Sequence, residues 1–234
     1  MNENILEVKN LTKIYSSSKR GVSDLSFSVK KGDFHAFIGE NGAGKTTTIK
    51  TIIGAYTNFK GEIFINNIST LKPEAKAILG YVPESTLFPK ELSTFEYLYS
   101  LALLTNISKK EAKEKINSLL KKFNIEDLAN QKPFNFSSGQ KKKVLLIQAL
   151  IHDPKLIILD EPAANLDPTA RYELFSILNE LKANGTTIII SSHILSEIDR
   201  YTDSLTLIHQ GKLIYSGPKL KHLEDIFYEK IIKD

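Results

Sequence analysis

The chain has 234 residues, 41% of them hydrophobic, with 31 basic and 27 acidic side chains and a formal net charge of +4. That length and composition allow a sizeable buried core and exclude intrinsic disorder, and the absence of cysteine removes disulfides, thiolate zinc sites and cysteine nucleophiles together, as fits a reducing compartment. The apolar runs at 156–159 and 186–190 fall far short of the ~20 residues that span a bilayer, and the opening MNENILEVKN lacks the apolar stretch of a secretory signal; the expected chain is soluble and reaches a membrane only by docking on another protein.

Residues 5–15 and 22–29 alternate apolar and polar side chains, as half-buried strands do, and Lys31-Gly32 turns the chain. These two strands are the expected N-terminal antiparallel β unit. A short apolar strand at 34–38 then runs into Gly39-Glu40-Asn41-Gly42-Ala43-Gly44-Lys45-Thr46, a full match to the pattern GxxxxGK followed by Ser or Thr. Glycines at this spacing let the backbone wrap an anion with its N–H groups turned inward, and a helix expected from 45 to about 55 adds its positive N-terminal end. Lys45 reaches the β- and γ-phosphates of a nucleotide in such a loop, and the Thr46 hydroxyl holds Mg²⁺. Residues 61–66 and 78–82 read as further strands.

From 94 to 123 the pattern turns helical, with Ser108 placed to cap a second helix starting at Lys109. Another helix is expected over 139–151, opened by Phe136-Ser137-Ser138-Gly139-Gln140, a Ser/Gly-rich helix start suited to holding an oxyanion. The basic run at 141–143 reads as a solvated face of that helix and carries no nucleic-acid signal. After Asp153-Pro154 breaks the helix, the apolar strand 156–159 delivers Asp160 and Glu161 at its carboxyl end, where open parallel sheets bind ligands. Asp160 is expected on the Mg²⁺ or directly behind its ligands, and Glu161 is placed to polarise a water for attack on the γ-phosphate. A helix from 168 to 183 leads to a buried strand at 186–190. His193 comes next, expected at the γ-phosphate, with a short helix beginning near it. A hairpin at 204–208 and 212–215, around Gln210-Gly211, and a last helix over 219–232 complete the chain. Strands alternating with helices at both ends predict an α/β core with a mostly parallel sheet, interrupted by a helical insertion near 90–150, within one domain spanning 1–234.

Taken together, GENGAGKTT at 39–47, FSSGQ at 136–140, LIILDEP at 156–162, NLD at 165–167 and SSH at 191–193 resemble the nucleotide-binding cassette of ABC transporters, in order and spacing and across nearly the whole chain. The resemblance implies a P-loop ATPase that takes ATP and Mg²⁺. Tyr15 would stack on adenine, and Gly39, Asn41, Gly42, Ala43, Gly44, Lys45, Thr46 and Thr47 would surround the phosphates. Ser137, Ser138, Gly139 and Gln140, the signature motif, would contact the nucleotide bound to a second cassette, and Asp167 would communicate across the pair. His193 resembles the switch histidine.

Partners implied are a second copy or homologous cassette, packed head to tail, and separate transmembrane permease subunits. These would place the chain at the cytoplasmic face of the cell membrane, and its C-terminal hairpin and the stretch before Glu84 look exporter-like. Three positions depart from the commonest pattern. Glu84 stands where a Gln usually contacts Mg²⁺ and the attacking water, which makes it a candidate metal ligand and catalytic group. Ser138 replaces the first of two signature glycines, adding a hydroxyl where a phosphate approaches closely. Phe136 replaces Leu. The competing readings are a soluble ABC-type ATPase without a membrane partner and an ATP-dependent regulatory module with a degenerate site.

Overall fold

The computed structural model describes residues 3–16, 20–105 and 107–233; Met1 and Asn2 of the N-terminal segment, and Asn106 within the stretch read as helical, lie outside the described residues. In chain order the strands are β1 (Asn4–Ile14), β2 (Gly21–Lys30), β3 (Phe34–Ile38), β4 (Lys60–Ile65), β5 (Ile68–Ser69), β6 (Leu79–Val82), β7 (Leu156–Leu159), β8 (Thr187–Ser192), β9 (Ser204–His209) and β10 (Lys212–Pro218). The helices are α1 (Lys45–Ile52), α2 (Pro73–Lys76), α3 (Thr94–Ala102), α4 (Lys109–Lys122), α5 (Ser138–Leu150), α6 (Pro168–Ala183), α7 (Leu195–Asp199) and α8 (Leu223–Phe227).

Two sheets result. One is antiparallel, in the order β2-β1-β4-β5, and the other runs β10-β9-β3-β8-β7-β6. In the second sheet every pairing is parallel except the β9–β10 hairpin. Its central strands are apolar at nearly every position because both faces are covered. Alternate residues serve alternate cores. Phe34, Ala36 and Ile38 of β3, Ile157 and Leu159 of β7, and Ile188 and Ile190 of β8 face the core shared with the helices. Phe37, Ile158 and Ile189 face the core shared with the antiparallel sheet and α1. Each of the Phe, Ile and Leu side chains among them, fully buried, contributes about 1.5–3 kcal/mol relative to exposure, so the register of these strands is strongly fixed.

Between β6 and β7 the chain is helical, as expected. Three of its helices start on the same device. Ser93 with Glu96, Ser108 with Glu111, and Ser137 with Gln140 each form a reciprocal capping box, which satisfies two otherwise orphaned N–H groups at each helix start.

Four local differences separate the structure from the sequence expectation. β5 and α2 have no counterpart in the sequence pattern, being two and four residues long, too short to show any period. α1 stops at Ile52, with Gly54 just beyond it at φ 75°. β8 continues to Ser192, and α7 starts only at Leu195. The last helix starts at Leu223 rather than 219, because Asp199 fixes its beginning. That carboxylate accepts from the Leu223 N–H at 2.8 Å and from His222 Nδ1 at 2.8 Å, and it pairs with Lys219 Nζ at 3.3 Å. Past Phe227 the chain continues as a π-type turn, Tyr228–Ile232.

Candidate active site

The parallel strands deliver the candidate residues to one edge. Ile38 is in register with Ser192, Ile190 with Leu159, and Leu159 with Val82. The carboxyl ends of β3, β8, β7 and β6 therefore lie side by side, and they lead respectively into the glycine-rich loop, His193, Asp160-Glu161 and Glu84. A cavity of 330 Å³ there is lined by Glu40, Asn41, Gly42, Gly44, Lys45, Thr46, Thr47, Glu84, Glu161 and His193.

Two glycines of the loop are required by its shape. Gly42 and Gly44 have φ of 83° and 108°, a region other residues seldom enter. A Cβ on Gly44 would also lie 2.4 Å from Val22 Cγ1. Gly44 precedes α1, so the first N–H groups of that helix open toward the cavity with its positive end. Lys45, at the first helical position, is buried and folds back over the loop. Its Nζ donates to the carbonyl of Gly39 at 2.8 Å and to that of Glu40 at 3.3 Å, and it stands 3.5 Å from Glu161 Oε1.

Glu161 itself has φ 44°, left-handed backbone that costs a non-glycine residue about 1–3 kcal/mol. Its N–H donates to Ser191 Oγ at 2.8 Å, and the same hydroxyl donates to Asp160 Oδ1 at 2.7 Å. Ser191 thereby holds both acids where β7 ends, and the left-handed turn sends the Glu161 side chain toward Lys45. Its other oxygen accepts from His193 Nδ1 at 2.8 Å and from the His193 N–H at 3.3 Å. Asp160 is 3% exposed and sits behind the cavity, whereas Thr46 and Glu84 are exposed at its rim. Tyr15, just past β1, has its hydroxyl 3.3 Å from Thr47 Oγ1 and its ring edge-on to Tyr56 at 6.1 Å.

The residues of the FSSGQ motif and Asp167 are elsewhere. Ser137, Gly139, Gln140 and Asp167 line a separate cavity of 280 Å³ between α5 and α6. Ser137 Oγ accepts from the Gln140 N–H at 3.3 Å, a use of its lone pair that leaves the O–H free to donate outward. Asp167 caps α6, its Oδ1 accepting from the Ala170 N–H at 2.9 Å. Ser138 Oγ donates to the Asn165 carbonyl at 2.8 Å.

One sequence reading is corrected. The basic run at 141–143 is not a solvated face throughout, because Lys142 is 6% exposed. Its Nζ donates to the carbonyls of Pro83 at 3.1 Å and Glu84 at 3.0 Å. Burial lowers its pKa to about 8 against the opposing pull of the Glu84 and Asp160 charges. Burial, together with the Asp160 and Glu84 charges, pushes the nearby Tyr81 phenol up to about 12. The signal that reveals Lys142 is positional. Lys142, Leu146 and Ala149 are spaced i, i+4, i+7 and share the buried stripe of α5. Ser191, within the SSH motif, has no role in the sequence reading beside His193; its place at the end of a buried strand puts its hydroxyl on both acids.

The donor set suits a magnesium nucleotide. Among the described residues no three carboxylate or imidazole groups gather as a self-sufficient metal site. Mg²⁺ typically takes one or two carboxylates and completes its shell with water and substrate phosphates; Thr46, Asp160 and Glu84 around an open cavity are donors of that kind. The loop supplies the positive end of a helix and a lysine for the anion.

A phosphate-binding loop, a strand ending in Asp-Glu and a six-stranded sheet with parallel centre define a P-loop ATPase. The comparisons narrow the class. The ABC transporter family model matches residues 22–164. A putative ABC transporter ATP-binding protein of Mycoplasma pneumoniae is 49% identical over 95% of this chain and 69% of its own length. The bacitracin transport ATP-binding protein BcrA of Bacillus licheniformis is 38% identical over 92% of this chain and 70% of its own. A solved ATP-binding subunit of an ABC transporter superimposes with a TM-score of 0.83 at 36% identity, covering 96% of this chain and 92% of that one. The chain belongs to the ATP-binding subunits of ABC transporters, and it is an ABC-type ATPase. Among the described residues no helix is long and apolar enough to cross a membrane.

Proposed function

We propose that the chain hydrolyses ATP as one half of a head-to-tail pair of cassettes and couples that hydrolysis to transport through separate transmembrane subunits, on which it docks at the cytoplasmic face. The observation that carries this reading is the setting of Glu161, with Lys45 Nζ 3.5 Å from one carboxylate oxygen and His193 Nδ1 2.8 Å from the other, beside the glycine-rich loop.

In this reading the N–H groups of the loop and Lys45 bind the β- and γ-phosphates, Lys45 giving up its carbonyl contacts, and Tyr15 stacks on the adenine. Glu161, released by Lys45, accepts a hydrogen bond from a water. The water oxygen forms a bond to the γ-phosphorus while the bond to the β–γ bridging oxygen breaks, the water's proton passes to Glu161, and ADP and phosphate leave. His193 leaves Glu161 and turns its Nδ1–H to the γ-phosphate. Thr46, Glu84 and Asp160 would hold Mg²⁺, which would supply positive charge to the phosphate oxygens. Ser137, Gly139 and Asp167 of one chain close the site of the other, a division of labour supported by their opening onto a cavity of their own. Relatives that serve bacitracin transport and linearmycin resistance, each matched over 92% of this chain, favour a transporter role over a membrane-free ATPase.

The test is Glu161→Gln. Losing a general base costs about 100-fold or more in turnover, while ATP binding persists and the ATP-bound pair accumulates on a sizing column. Turnover equal to that of the unaltered chain would remove Glu161 from its role.

A further inference from the structure

Lys45 and Lys142 are the buried lysines among the described residues. Lys45 belongs to the phosphate loop. Lys142 has no part in the chemistry above, yet burying an ammonium is costly unless it is paired and hydrogen-bonded. Its two donated bonds, to the carbonyls of Pro83 at 3.1 Å and Glu84 at 3.0 Å, tie the first turns of α5 to the loop leaving β6. Two carbonyl dipoles do not balance a full charge. The charges of the Glu84 and Asp160 carboxylates act on Lys142 in the favourable direction and offset part of the cost of its burial. Lys45 is the one lysine among the residues lining the phosphate-loop cavity, against Glu40, Glu84 and Glu161; Lys142 adds a second positive charge from behind, through the loop that carries Glu84.

We propose that Lys142 is a positioning residue, one that clamps Pro83 and Glu84 to the helix bearing the FSSGQ motif and supplies the positive charge that makes a carboxylate at position 84 compatible with a bound triphosphate. The clamp links the two halves of the nucleotide machinery: the loop that carries Glu84 cannot shift without pulling on α5, whose first turn is the motif offered to the second cassette. The proposal rests on the function proposed for the site.

The test is a double-mutant cycle between Lys142→Gln and Glu84→Gln, read by calorimetric titration with ATP, with and without Mg²⁺, and by steady-state kcat and KM. Glutamine removes the charge and keeps an N–H donor for the carbonyls, on a stem one bond shorter. Lys142→Gln is expected to weaken ATP binding about tenfold, a coupling of ordinary size for groups in one network. The loss should be larger for metal-free ATP, which carries more negative charge. Restoring the charge balance in the Lys142→Gln/Glu84→Gln double variant should recover most of the affinity, and Lys142→Arg should stay near the unaltered chain. Equal losses in both backgrounds, or equal losses with and without Mg²⁺, would reduce Lys142 to packing and overturn the proposal; so would unchanged affinity in Lys142→Gln. If Lys142→Gln folds only together with Glu84→Gln, by thermal melting, that rescue supports the coupling, whereas failure to fold in both backgrounds counts against it. Lys45→Ala serves as the control. Its loss of ATP binding beside an unaffected Lys142→Gln rejects the inference alone, and undiminished binding by Lys45→Ala rejects the site reading itself.

Discussion

Ser138 stands where the family pattern has glycine, and the sequence alone leads one to expect its hydroxyl to crowd an approaching phosphate. In the fold the hydroxyl turns the other way and donates to the carbonyl of Asn165 at 2.8 Å. Asn165 is held at φ 61°, a conformation that benefits from an external tether. The serine therefore staples the start of α5 to the loop before α6. Ser138→Gly should lower the unfolding free energy by about 1 kcal/mol, the sum of a modest hydrogen bond and glycine's helix penalty, and should not raise ATP turnover. Urea denaturation and steady-state hydrolysis check the two parts, and faster turnover in Ser138→Gly would restore the crowding explanation. At this scale the sequence is most readable where chemistry demands a fixed spacing. Lys45, Asp160, Glu161 and His193 sit beyond strand ends that short apolar runs announce. It is least readable where a side chain's partner comes from a distant segment, as with Ser138 on Asn165, Ser191 on Asp160 and Lys142 on Pro83.

Strands β3, β9 and β10 are joined by a buried polar chain whose proton order the geometry resolves. Ser204 Oγ donates to Asp33 at 2.7 Å, so it must accept from His35 Nδ1 at 2.8 Å, which makes that nitrogen the protonated one. His35 Nε2 is then the acceptor for Thr206 at 2.9 Å, and Thr206 accepts from Ser216 at 3.0 Å. Full burial lowers the His35 pKa from 6.5 to about 3. Well above pH 6.5 the imidazole is neutral whether the chain is folded or not, and its contribution to stability is complete. Below 6.5 the unfolded chain takes up a proton that the folded one refuses, so stability falls as pH drops toward 3, at about 1.4 kcal/mol per unit for this group. Urea titrations between pH 7.5 and 5 should show this slope and lose it in His35→Asn; an identical slope in both would exclude the histidine as its source.

None of that network is visible in the sequence, where His35 is one residue of an apolar strand. The elements themselves are largely legible. The capping serines at 108 and 137, the Asp153-Pro154 break and the alternating strands all act through neighbours a few positions away. β5 and α2 are too brief for a pattern, and the start of α8 is decided by Asp199, more than twenty residues upstream.

Across the whole molecule, the parallel order β3-β8-β7-β6 gathers one set of residues and leaves another outside. The phosphate loop, Glu84, Glu161 and His193 meet at a shared edge, while Ser137, Gly139 and Asp167 open between α5 and α6. Under the proposed pairing, damage to the two sets is separable by mixing. A Lys45→Ala chain has no working phosphate loop but an intact motif to lend; a chain with Ser137→Arg has the reverse defect. Each alone should be inactive. Mixed in equal amounts, the heterodimers hold one site with both halves sound and one with both halves broken, so hydrolysis should reappear and depend on the product of the two concentrations. Continued silence of the mixture, with heterodimers present on a sizing column, would mean that each chain completes its own site. The physical distance between two cavities in one chain thus becomes a rule of inheritance: two defective alleles of such a gene can complement each other within a single cell, and two alleles defective in the same cavity cannot.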